Sequence, residues 1–106
     1  MIEEFDRYTY ATRLFDERRH AAAARELEGV VAAADGPGVG DAPLLLARAY
    51  YHSAQLARAE AAATALVDRD PTDGHAMLLL ARTLQRQGRP ERAEPWHRRA
   101  QALGVE

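Results

Sequence analysis

Five positions recur at a spacing of 34 residues: Leu46 with Leu80, Ala47 with Ala81, Tyr50 with Leu84, Ala59 with Ala93, and Leu66 with Ala100. A period of this length accommodates two helices and a turn, and such a unit cannot bury its apolar face alone. Copies must therefore stack on one another, which rules out most other ways of folding the chain. The clearest copy runs from Asp70 to Leu103. Its leucine-rich half ends at Gly88, and Pro90 can open the second half as the first residue of a helix. Ala81, Ala93 and Ala100 sit where two helices need to approach closely.

Composition agrees with an all-α fold. At 106 residues the chain has the size of one domain, enough for a modest core without disulfides or metals. Alanine and other helix formers dominate, and β-branched residues are sparse. A formal net charge of −2 and a pI near 6.1 argue against a general electrostatic grip on nucleic acid or an acidic membrane. Cysteine is absent, which removes disulfides, thiol catalysis and thiolate metal sites. No apolar run approaches the roughly 18–20 residues needed to span a bilayer. Met1–Asp6 is acidic where a secretory signal would be basic and then apolar, so the expectation is a soluble, cytoplasmic protein. Every basic residue other than histidine is arginine. That fits the codon bias of a GC-rich bacterial genome and gives the choice of arginine over lysine little functional weight.

Apolar spacing predicts six helices, over about residues 3–17, 21–33, 41–53, 56–69, 73–87 and 90–103. In the first, Phe5, Tyr8, Thr12 and Phe15 share one face, and Tyr10, Ala11 and Leu14 a neighbouring one. Arg18-Arg19-His20 is read as a turn lacking glycine and proline. In the second helix Ala23, Leu27 and Val30 point inward, and Gly29 is expected to mark close approach by a neighbouring backbone. Residues 35–43 are rich in glycine and proline and read as an interhelical turn. They follow a helix rather than a strand and lack a Gly-Lys-Ser/Thr ending, so a phosphate-binding loop is not expected. Asp41 is expected to cap the third helix, with Pro43 in its first turn. The fourth helix is small-faced through Ala59, Ala62, Ala63 and Leu66, and Asp70-Pro71 stops it. Met77, Leu80, Ala81 and Leu84 face inward from the fifth helix. The sixth buries Ala93, Ala100 and Leu103, with a mild kink expected at Pro95.

The stretch Ala49-Tyr50-Tyr51, followed after a turn by Ala59, resembles the tetratricopeptide repeat. So do Pro71 at the end of a unit and Gly88 at the turn, where the preceding unit has Ala54. A first unit matches in kind at Ala11, Leu14, Ala23, Leu27 and Val30, although Ala23 and Ala59 are 36 residues apart and Arg18 replaces the turn glycine. The resemblance implies one domain, a right-handed α-solenoid of three helix-turn-helix repeats over about 4–37, 40–73 and 74–106. It also implies a protein-interaction module, an adaptor or scaffold, with a concave groove lined by the first helix of each pair. An unrelated six-helix bundle is the alternative fold.

Mapping the groove face gives Tyr8, Thr12 and Phe15 (with Phe5 and Asp16) from the first unit. The second contributes Leu44, Arg48, Tyr51 and His52, and the third His75, Leu78, Arg82, Gln85 and Arg86. Arg48 and Arg82, one period apart, are expected side by side. Arginine beside aromatics suits an extended, acidic peptide through bidentate bonds and stacking; pairing with Asp16 and Asp41 is the plainer alternative. Chaperone-binding members of the family use lysines and asparagines at places that here hold Tyr8, Thr12, Leu45, His75 and Leu79, so that clamp is not expected. His20, His52, His75 and His97 show no close helical ligand spacing, and neither metal nor cofactor is expected. No nucleophile with a plausible base stands out, so the chain reads as a non-enzyme. The chain stops after the third pair, with no further capping helix expected. The last helix is then covered by its own Arg92, Arg98, Arg99 and Gln101 or by another molecule. Trp96 either folds back on Met77 or Leu80 or, with Leu103, anchors a homodimer or partner contact. Self-association through that end, or through the aromatic first-helix face, is the rival reading of function.

Overall fold

The computed structural model describes the backbone of residues 4–33 and 41–106, and the side chains of that range from Asp6 onward. Within it lie α1 (Glu4–Asp16), α2 (His20–Ala33), α3 (Ala42–His52), α4 (Leu56–Arg69), α5 (Gly74–Arg86) and α6 (Pro90–Ala102). There is no strand among the described residues. The glycine-rich turn at 34–40 and the groove position of Phe5 lie outside the described residues.

Each helix packs on its neighbours in the chain, and α3 also touches α5. The particle measures 46 × 25 × 20 Å, the elongated outline of stacked hairpins. Positional equivalence along the stack is visible in burial. Ala11, Ala47 and Ala81 are all 0% exposed, as are Ala23 and Ala59, with Ala93 at 1%. At these places the helices leave no room for a larger side chain, so the alanines are geometric requirements rather than filler. Enlarging one, in Ala59→Leu, is expected to destabilise the protein by about 1–3 kcal/mol through overpacking. A denaturant midpoint equal to that of the parent protein would contradict the register.

Leu46 and Leu80 are buried, whereas the equivalent Tyr10 is 44% exposed. α3 and α5 each lie against a preceding second helix, α2 and α4. α1 has no such neighbour among the described residues, and the Arg13 guanidinium lies 5.9 Å from the Tyr10 ring. The other edge is polar too. Where α2 presents Ala24, Leu27 and Val31, α6 presents Glu94, His97 and Gln101.

The turns repeat as faithfully as the helices. Arg18, Ala54 and Gly88 have φ of 64°, 62° and 75°. The next amide donates five residues back in each case: Arg19 to Leu14, Gln55 to Tyr50 and Arg89 to Leu84, at 2.8–2.9 Å. This is the Schellman ending, which satisfies orphan carbonyls at the helix C-terminus. Gly104, at φ 82°, ends α6 in the same way, with the Val105 amide on the Ala100 carbonyl at 2.9 Å. Val105 then packs against Val67, Ala76, Met77 and Ala100. A Cβ on Gly74 would stand 2.8 Å from Val105 Cγ2, so glycine there admits the tail.

Left-handed backbone costs a non-glycine residue about 1–2 kcal/mol. Glycine's extra freedom in the unfolded chain offsets about 0.4–1 kcal/mol of the relief. Ala54→Gly is therefore expected to stabilise the protein by about 0.5–1 kcal/mol, which calorimetry would read as a rise of a few degrees in melting temperature. An unchanged or lower melting temperature would contradict this account of the turn.

Three sequence expectations need correction. Gly29 makes room for a side chain, not a backbone: a Cβ there would meet the Arg7 guanidinium at 2.8 Å. Asp41 occupies the cap position of α3 without a side-chain hydrogen bond, while Asp73 caps α5 by accepting from the Ala76 amide at 3.0 Å. Leu103 is 46% exposed rather than buried, because the Schellman ending sends Val105 inward in its place. Pro95 lies within α6, and Asp70 closes the α4–α5 turn by accepting from the Thr72 amide (2.9 Å) and hydroxyl (2.6 Å).

Candidate functional site

Because the hairpins stack in register, residues at equivalent positions of α1, α3 and α5 form rows across the stack. Thr12, Arg48 and Arg82 make one row. Thr12 is half-buried and its hydroxyl donates to the Tyr8 carbonyl at 2.9 Å, so that donor is already used. Arg48 and Arg82 are exposed and line one shallow depression of about 340 Å³, with Leu44, His75, Leu78 and Val105. Among the described residues, Glu106 is the one carboxylate in its wall. The spacing of 34 residues thus does bring the two arginines to one depression. Neither Asp16 nor Asp41 neutralises them: the one ion pair among the described residues joins Arg89, before α6, to Glu60 of α4 at 3.1 Å.

Next to this row, each aromatic supports an arginine from the following hairpin. The Arg48 guanidinium lies 5.2 Å from the Phe15 ring centroid, and that of Arg86 lies 4.7 Å from Tyr51. Both are within cation–π range. Arg86 is held further by donating from Nη1 to the Tyr51 carbonyl at 2.7 Å. A guanidinium resting on a ring keeps its edge free for an anion, and its orientation is set before any ligand arrives.

His20, expected in a turn and outside the groove, instead begins α2 and belongs to this cluster. Its ring stacks on that of His52 at 4.8 Å, and Phe15 meets both edge-on at 4.9 and 5.7 Å. Tyr51 stands edge-on to His52 at 5.3 Å. His20 begins α2 and His52 ends α3, so both lie at the short-turn end of the stack. Given the register, that common end was the available signal; helical ligand spacing, which compares residues within one helix, could not reveal it.

Burial lowers the His52 pKa from its ordinary 6.5, and the nearby His20, Arg48 and Arg86 push it the same way. The unfolded chain therefore binds this proton more readily than the folded one. The stability linked to His52 is complete above pH about 6.5 and declines as pH falls through that value toward the lowered folded pKa. Urea midpoints recorded across this window are expected to fall with acidification, and His52→Gln is expected to flatten the slope. An unaltered slope in that variant would assign the effect elsewhere. Tyr50, by contrast, is structural: its hydroxyl donates to Glu28, tying α3 to α2. Burial and that carboxylate push its pKa up to about 12, so it stays a neutral donor.

The remaining candidates are spread out. Tyr8 is half-buried against the first core cluster. Gln85, on the groove-facing helix, turns to His97, its Oε1 lying 3.2 Å from Nε2. Trp96 packs inward against the clusters that contain Leu80 and Met77, and the Arg99 guanidinium covers it at 4.8 Å. Leu103 is separate from the groove, in an open, mainly apolar depression with Val67, Pro71, Met77 and Ala102, rimmed by Arg99. Among the described residues no three histidine, cysteine, aspartate or glutamate side chains gather as a metal site, and no helix is long and apolar enough to cross a membrane. The face thus presents exposed guanidinium groups, two of them resting on aromatic rings.

The sequence profile of the tetratricopeptide repeat matches residues 8–73 and again 44–104, overlapping through the middle hairpin. A search of the curated proteins found no match. The overlapping matches coincide with the six stacked helices, and together they span nearly all of the chain. The protein belongs to the tetratricopeptide repeat family, whose helical repeats generally serve as protein–protein interaction modules.

Proposed function

We propose that the concave face of α1, α3 and α5 binds an extended segment of a partner protein rich in aspartate or glutamate, and that the protein acts as a non-enzymatic adaptor or scaffold. One observation carries this reading: Arg48, Arg82 and Arg86 share the face without a carboxylate partner in ion-pair range among the described residues. Stacking on Phe15 and Tyr51 orients two of them, while Leu44 and Leu78 supply apolar floor for the segment's other side chains. Isothermal titration with an Asp/Glu-rich peptide tests it. Saturable binding that weakens steeply with salt is expected. Equal affinity for the Asn/Gln version of the peptide would sink it.

Self-association is a second reading, favoured by the exposed Leu103 beside its apolar depression. Leu103, rather than the inward-packed Trp96, would be the anchor. Sedimentation equilibrium decides: a monomer at the highest attainable concentration removes this reading.

A further inference from the structure

A second group of cations lies at the short-turn end of the stack, outside the Arg48–Arg82 depression. Arg18, Arg19, His20, Arg25, His52 and Ser53 line an open hollow of about 510 Å³. They come from three segments: the α1–α2 turn, the body of α2 and the end of α3. No carboxylate among the described residues contributes to the wall. Asp16, Glu17 and Glu26 adjoin on the same elements, yet none forms an ion pair with these arginines. The backbone is fixed at the centre of the group, where the Arg19 amide donates to the Leu14 carbonyl at 2.9 Å. The stack of His20 on His52 at 4.8 Å ties α2 to α3 across the hollow. Arg18 holds φ of 64° where the third hairpin has glycine, which places a long cation in the turn itself.

Three guanidinium groups carry more positive charge than one carboxylate can satisfy, and the ring N–H groups of the two histidines add donors. A phosphoryl group matches them better, with a charge of about −1.5 to −2 and three strong acceptor oxygens. Ala21 and Ala22 also belong to the wall. Their amides lie in the first turn of α2, which contains no acidic side chain, and amides there have no partner within the helix. We propose that this hollow binds a phosphoryl dianion, either free phosphate or a phosphorylated side chain. The hollow shares no residue with the Arg48–Arg82 depression, although His52 also meets the Phe15 and Tyr51 rings beside that row.

The test follows the ring signals of His20 and His52 by NMR at about pH 7.5. Inorganic phosphate is titrated against sodium chloride of equal ionic strength, and N-acetyl-phosphoserine amide is titrated in parallel. Saturable shifts of both rings are expected with phosphate and not with chloride, while His75 in the groove stays unmoved. Arg25→Glu is expected to weaken binding by about tenfold or more. The milder Arg25→Gln gives the same direction if the reversal disturbs folding, and Arg82→Glu is expected to leave affinity unchanged. Phosphoserine binding about tenfold tighter than phosphate identifies a phosphorylated side chain as the ligand; equal affinity identifies the free ion. Non-saturable shifts matched by chloride overturn the proposal. So does loss of phosphate binding in Arg82→Glu, which would move the anion into the groove.

Discussion

Leu84→Ala is expected to cost about 2–5 kcal/mol of unfolding free energy, out of the roughly 5–15 kcal/mol that a domain of this size commands. Leu84 is 2% exposed and among the largest fully buried side chains. Its cluster includes Ala47, Ala63, Ala81 and Ala93, residues with no rotatable bulk to move into the space left behind. The cavity would persist, which places the cost above the transfer value of the lost methyl groups alone. Urea denaturation measures it; a loss below about 1 kcal/mol would mean that the α5–α6 hairpin is packed less closely than described. Close-packed alanines make the opposite error costly too, which is why Ala59→Leu, in the first core cluster, is expected to destabilise although it adds apolar surface.

The second large effect concerns binding. Reversing both charges in the Arg48→Glu, Arg82→Glu protein is expected to weaken an Asp/Glu-rich peptide by about tenfold to a hundredfold, since attraction becomes repulsion in one depression. Both side chains are exposed, so folding is touched lightly. Only Arg48 gives up a contact, its stacking on Phe15, worth about 0.5–1 kcal/mol. Each single reversal should produce an intermediate affinity. A double variant that binds as tightly as the parent would show that the peptide lies elsewhere, and a melting temperature collapsed along with affinity would show a structural role for the pair.

The helices were legible in the sequence because repetition constrains them twice, once by local pattern and once by the 34-residue register. Ala59 and Ala93 alone predict close approach, and Asp70-Pro71 and Pro90 delimit helices with little help from tertiary structure. The groove rows followed from the same register. What escaped depends on reach and on competition between groups. Arg7 extends over Gly29, a contact that no spacing rule contains. Arg18 and Ala54 take left-handed backbone because the helix-ending hydrogen bonds outweigh the local penalty, so glycine was not needed to make the turn. Leu103 loses its buried place to Val105, whose amide completes the ending of α6. The His20–His52 stack needs two hairpins assembled before the rings meet, and neither hairpin alone encodes it.

The central claim is that the face of the first helices, whose arginines have no carboxylate in ion-pair range among the described residues, is the recognition surface. Amide chemical-shift mapping during titration of an Asp/Glu-rich peptide tests it most directly. The account predicts shifts concentrated along α1, α3 and α5, centred on Arg48 and Arg82 and suppressed by salt. Shifts confined to the outer faces of α2, α4 and α6, or to the Leu103 depression, would contradict it.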